Sequence, residues 1–162
     1  MLKGVQKIQK IVEVAYKLVN IFKVVHCSKR TYNDLKLQNV MINTNGNLDA
    51  DPQVYLIDFG FAKKYTKKDN KTHEEESASV EVFEGNQIFA TVHQMKFGVT
   101  SRRDDLISLF YVLIYMLNDC NLWVGYDPFE GKGLDGVTAY FDAIKKWKLD
   151  NDLLRIADLL SS

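Results

Sequence analysis

Four side chains in two short stretches carry the types that phosphoryl transfer requires. Asp34 and Lys36 stand two apart in Tyr32-Asn33-Asp34-Leu35-Lys36-Leu37-Gln38-Asn39, and Asp58-Phe59-Gly60 begins 24 positions after Asp34. Such a reaction needs a carboxylate to orient and deprotonate the incoming hydroxyl, a cation beside the transferring phosphate, and oxygen ligands for magnesium. Asp34, Lys36 and the pair Asn39 plus Asp58 fill that inventory. An Asp-Phe-Gly tripeptide alone is weak, so the weight falls on the order of the whole set and on the segments that must position it.

Val5, Ile8, Ile11, Val12, Ala15, Leu18, Val19 and Phe22 recur at helical spacing, with lysines largely on the other positions, which predicts an amphipathic helix over residues 4–25. Val40-Met41-Ile42 and Val54-Tyr55-Leu56-Ile57 flank the turn-rich Asn43 to Pro52 and predict a β-hairpin. From Lys63 to Glu84, lysines 63, 64, 67, 68 and 71 precede glutamates 74, 75, 76, 81 and 84, which predicts a long charged surface loop. Asp104 to Asn118 reads as a helix that is apolar nearly all round, the mark of a core centre. Gly125 to Gly136 is a glycine-containing loop, and helical patterns follow at Val137 to Lys148 and Asp152 to Leu160.

The order of these parts resembles that of the protein kinases, which carry a catalytic loop H-R-D-x-K-x-x-N between a helix and a hairpin and D-F-G after the second strand. Gly85-Asn86-Gln87-Ile88-Phe89-Ala90-Thr91 is similar to the G-T-x-x-Y-A-S stretch of casein kinase I, and Ser101-Arg102-Arg103-Asp104-Asp105-Leu106 matches that family's S-R-R-D-D-L. The resemblance runs from the opening helix to about Trp123. It implies a mainly α fold with a small β-hairpin (α+β), a protein kinase-like C-terminal lobe. Residues 1–162 would form a partial kinase domain with a catalytic loop at 32–39, D-F-G at 58–60, an activation segment at 61–100 and a core helix at 104–118.

The same resemblance implies roles. Asp34 is the base, Lys36 steadies the γ-phosphate of ATP, and Asn39 and Asp58 hold Mg2+. Phe59 and Gly60 set the position of Asp58. Asn86 stands where a threonine is common, with a side chain able to reach Asp34 or Lys36, and Asp105 accepts backbone hydrogen bonds from the catalytic loop. His26 aligns with a packing histidine, and neither it nor His73 or His93 is expected to be catalytic. The phosphate acceptor is a serine or threonine hydroxyl of a protein, at acidic or phosphorylated sites by family habit. Arg102, Arg103 or the loop lysines could face such sites, or could be ordinary surface charge.

The chain departs from the pattern in specific places. The histidine and arginine of H-R-D are Tyr32 and Asn33, and without that arginine a phosphorylated activation loop loses its bidentate partner. No G-x-G-x-x-G loop, V-A-I-K lysine or partner glutamate precedes the opening helix. The expectation is therefore a lobe with its N-terminal counterpart absent, inactive by itself, and exposing an apolar surface where a partner could bind. Three readings stay open: an incomplete piece of an active kinase, a pseudokinase remnant that binds proteins, and an unrelated helical interaction domain.

Composition narrows the class further. Lys plus Arg and Asp plus Glu number 21 each among 162 residues, so no global field favours nucleic acid or an anionic membrane. The longest nearly unbroken apolar run, Leu106 to Leu117, contains Ser108 and is too short to span a bilayer. Cys27 and Cys120 form no C-x-x-C pair and are expected to be reduced, packed thiols of an intracellular protein, cytoplasmic or nuclear.

Overall fold

The computed structural model describes residues 4–43, 51–67, 71–74, 78–121 and 136–151. Two long helices form its centre. Helix α1 (Gly4–Cys27) buries Ile11, Val14, Leu18, Phe22 and Val25, which recur every three or four residues along one stripe. That stripe packs against α3 (Arg102–Leu117), whose Leu109, Val112 and Ile114 share one core with Val14, Leu18 and Phe22. Lys7 fastens the open end of the pair, its Nζ donating to the Leu117 carbonyl at 3.2 Å and to the Asp119 carboxylate.

The apolar face expected for α1 divides in two. Ile11, Leu18 and Phe22 are buried, whereas Val5, Ile8, Val12 and Val19 form, with Tyr16, a second stripe that is exposed. Apolar residues on both sides of a helix give one summed pattern in sequence, and only packing separates them. α3 likewise turns Leu106 and Leu117 outward, so it is not enclosed all round.

Start of α3 is fixed by a capping box: the Asp104 carboxylate accepts the Ser101 backbone N–H at 2.8 Å. Asp104 also accepts the Thr91 hydroxyl at 2.6 Å, and Thr91 caps the short helix α2 (Val92–Met95) through the Gln94 N–H. These contacts lock the segment around Thr91 onto the start of α3.

The expected hairpin is present as β2 (Val40–Asn43) and β3 (Gln53–Leu56), antiparallel with Val40 opposite Leu56. A second ladder, β1 (Arg30–Thr31) with β4 (Lys63–Lys64), was not foreseen, because two-residue strands carry no periodicity. It corrects the reading of Lys63 to Glu84 as a long surface loop throughout, since the stretch opens on a paired strand. Thr66 bridges to His73 and Ser79 to Gly98, and the Val80 N–H donates to Phe97 O at 2.8 Å.

Helix α4 (Val137–Asp150) packs on α2 and the segment before it, with Ile144 buried against Ala90 and Met95 and Phe141 edge-on to Phe83 at 5.2 Å. Cys27 and Cys120 are both exposed rather than packed. Among the described residues no helix is long and apolar enough to cross a membrane. The expected helix at Asp152 to Leu160 and the glycine-containing loop, up to Gly136, lie outside the described residues.

Candidate active site

The stretch holding Asp34 runs as irregular backbone between β1 and a single 3-10 turn, Leu37–Asn39, and its shape depends on side chains from elsewhere. Asp105, in the first turn of α3, accepts the Tyr32 N–H and the Asn33 N–H, each at 2.9 Å. His26, stacked on Phe22 with ring centroids 5.7 Å apart, donates Nε2–H to the same carboxylate at 2.8 Å. Asn33 takes φ of 70°, a conformation that asparagine tolerates better than most residues.

Asp34 is 1% exposed, and its two oxygens differ. Oδ2 accepts Lys36 Nζ at 2.7 Å and Asn39 Nδ2 at 3.0 Å. Oδ1 is buried with no hydrogen-bond partner among the described residues. A buried carboxylate oxygen without a donor is costly unless a hydroxyl, a water or another donor completes it. Asn39 Nδ2 also donates to the Asp34 carbonyl at 3.0 Å, which closes the loop on itself.

The hairpin brings Asp58 to this point. Val40 pairs with Leu56 and the Ile57 N–H donates to Asn39 O at 3.0 Å, so Asn39 and the segment leading into Asp58 lie at one end of the ladder. Asp58 is exposed and left-handed, with φ of 58°. Its Oδ1 accepts the Gly60 N–H at 3.2 Å. An asparagine oxygen and one exposed carboxylate suit Mg2+, which takes one or two protein ligands and completes its shell with phosphates and water. A dedicated cluster of three His, Cys, Asp or Glu is absent among the described residues.

Tyr32 joins the two stretches. Its hydroxyl donates to the Ile57 carbonyl at 2.6 Å, and its ring meets the Phe59 ring edge-on at 5.2 Å. Burial holds the phenol well above the ordinary tyrosine range, so it stays a neutral donor. The Tyr32 side chain therefore links the loop to the Asp58 segment.

Asn86 is placed differently from the expectation: its Oδ1 accepts the Phe89 N–H at 3.0 Å, within its own turn, rather than reaching Asp34 or Lys36. Gln94, which the sequence reading did not single out, is the side chain that spans the gap. Its Nε2 donates to Asn33 O at 3.2 Å and to Glu84 O at 2.7 Å. Lys63 pairs with Glu84, and the Arg102 guanidinium lies over the Tyr65 ring at 5.2 Å, so these cations have partners within the chain.

Around the hairpin and the Asp58 segment, Met41, Ile42, Tyr55, Ile57, Phe59 and Phe61 are exposed. They make an apolar surface beside the polar cluster.

Comparison with known proteins meets this geometry. The family model described as "Protein kinase domain" matches residues 2–149. A casein kinase 1-like protein of Oryza sativa subsp. japonica is 30% identical over 113 residues, covering 70% of this chain and 16% of its own length. Casein kinase I homolog 1 of Saccharomyces cerevisiae is 30% identical over 122 residues, covering 73% of this chain and 22% of its own. A "Probable serine/threonine-protein kinase" of Fowlpox virus is 27% identical over 130 residues, 80% of this chain and 40% of its own. The chain thus spans less than half the length of these relatives. With the loop, the hairpin and the core helix in kinase order and the family model covering nearly the whole chain, it belongs to the protein kinase domain family, among its casein kinase I-like members.

Proposed function

We propose that this chain is the C-terminal lobe of a serine/threonine protein kinase domain that transfers the γ-phosphate of ATP to protein hydroxyls. Asp34 orients the acceptor hydroxyl and takes its proton. The observation that carries this reading is the unequal partnering of Asp34, with Oδ2 held by Lys36 and Asn39 and Oδ1 buried without a donor. A carboxylate with one oxygen held by two donors and the other lacking any keeps the capacity to accept one hydroxyl hydrogen bond. Lys36 neutralises charge beside the transferring group, and Asn39 and Asp58 hold magnesium. When bound, Mg2+ and ATP supply the phosphoryl group and the neutralisation of its charge.

Positioning dominates phosphoryl-transfer catalysis, and the groups described here form one wall of a nucleotide site. The 162-residue chain by itself is therefore expected to transfer phosphate negligibly. The exposed apolar residues at the hairpin and the Asp58 segment are the surface that the remainder of a kinase domain, or a protein partner, would cover.

A second reading, a pseudokinase remnant acting as a protein-binding module, is favoured by Asn33 in place of arginine and by Asn86 turning to Phe89. Calorimetry of ATP with the purified chain, in the presence and absence of Mg2+ and with Asp58→Ala as control, separates the two. Binding that needs magnesium and is lost in the variant supports the kinase half-site. A folded chain that binds no ATP under either condition favours the remnant or a truncated domain, in which the function of this piece lies in its contacts.

A further inference from the structure

Lys148 is an anomaly of the core. It is 3% exposed on α4 and pairs with no carboxylate among the described residues. Its Nζ donates to the carbonyls of Ile88 at 2.6 Å, Ala90 at 2.5 Å and Gln87 at 3.4 Å, and lies 4.5 Å from the centre of the Tyr111 ring. An ammonium solvated only by carbonyl dipoles and a ring face is an expensive thing to bury, and an apolar side chain of like volume would serve folding at least as well. What an apolar side chain would not do is hold three carbonyls of an irregular segment in fixed directions.

That segment ends on the catalytic loop. Gly85, two residues before Gln87, has φ of 109°, and a Cβ there would stand 2.3 Å from the Asn33 carbonyl oxygen. Backbone thus lies directly on backbone, next to Asp34. Gln94 stitches the same contact by donating to both Asn33 O and Glu84 O. Ile144 and Phe141 place α4 on the segment through apolar contacts, which have no direction of their own.

We propose that Lys148 is a positioning residue for the phosphoryl-transfer site: from α4 it fixes Gln87 to Ala90 and so keeps Gly85 seated on the carbonyl of Asn33. The proposal rests on reading Asp34 as the base. Its structural content, a link from α4 to the catalytic loop, can be measured without any turnover.

The experiment is residue-resolved amide hydrogen exchange by NMR on the full chain and on Lys148→Met, which keeps length and loses the donors. Protection at core amides such as Leu18 and Val112 should stay within about twofold, while the Phe89 and Ala90 amides should lose about tenfold or more. The Gly85 and Asn33 amide resonances should shift as well. Lys148→Arg, which retains donors, should recover much of the protection. Unchanged protection at Phe89 and Ala90 in a folded Lys148→Met overturns the proposal, as does a loss spread evenly through α1 and α3.

If Lys148→Met does not fold, the denaturant dependence of exchange in the unaltered chain decides. A strut requires Ala90 to open together with the α4 amides, and independent opening overturns it. ATP calorimetry with Asp58→Ala tests the kinase reading separately, so failure of one is distinguishable from failure of the other.

Discussion

The hydroxyl of Tyr32 donates to the carbonyl of Ile57 at 2.6 Å, which ties the residue two before Asp34 to the residue just before Asp58. The two carboxylates lie in segments far apart in sequence, and this bond with the Phe59 edge contact is a direct side-chain link between them. Tyr32→Phe keeps the ring and removes the donor. Losing this part-buried hydrogen bond is expected to cost about 0.5–1.5 kcal/mol. Urea denaturation measures the loss. A variant as stable as the parent would mean that ring packing alone joins the two stretches.

Asp105 bears the loop from the other side, accepting the N–H groups of Tyr32 and Asn33 and the His26 imidazole. In Asp105→Asn, an NH2 group must face one of these donors. Breaking a buried, charged hydrogen-bond centre in this way is expected to cost about 3 kcal/mol. A carboxylate that served only the positive end of α3 would lose well under about 1 kcal/mol in the same substitution. The size of the shift in urea midpoint therefore discriminates between the two roles.

Gly85→Ala is expected to displace the segment around Gly85 from the loop that holds Asp34. The added Cβ would meet the Asn33 carbonyl oxygen at 2.3 Å and Gln94 Nε2 at 2.8 Å, and φ of 109° is itself unfavourable for alanine. The backbone contact leaves no flexible atom to yield, so a cost of about 2 kcal/mol or more is expected. In NMR spectra the amides of Asn33 and Gln94 should move most. Spectra that differ only at residue 85 and its sequence neighbours would contradict this account.

The parts that were legible in sequence are those with a period or a fixed order. The 3.6-residue recurrence in 4–25 and the two apolar runs about the Asn43 to Pro52 turn became α1 and the β2–β3 hairpin. What stayed hidden depends on contacts that no spacing encodes. β1 and β4 are two residues each. Gln94 binds backbone carbonyls, which look alike in every sequence. The side chain of Asn86 accepts the Phe89 N–H within its own turn, a contact that no spacing encodes. Lys148 did leave a trace, since it falls on the stripe of Tyr140, Ile144 and Trp147, where an apolar residue belongs.

Lys148 also sets an expected pH profile. Burial holds its amine well below the ordinary lysine value of 10.5. Between the lowered folded value and 10.5 the unfolded chain binds a proton that the folded chain has released, so stability rises with pH across that window. The buried tyrosines act in the opposite sense. Burial pushes the Tyr111 phenol up to about 12 from 10.0 and raises Tyr32 as well, so above 10.0 the unfolded phenols ionise first and stability falls as pH rises. The expected curve climbs through the mildly alkaline range and turns over near about pH 10. Urea denaturation at steps from about pH 7 to about pH 11 records it. Lys148→Met should flatten the rising limb and leave the falling limb in place. A rising limb that survives the substitution would assign the titration to another group and remove the charge of Lys148 from the account of the core.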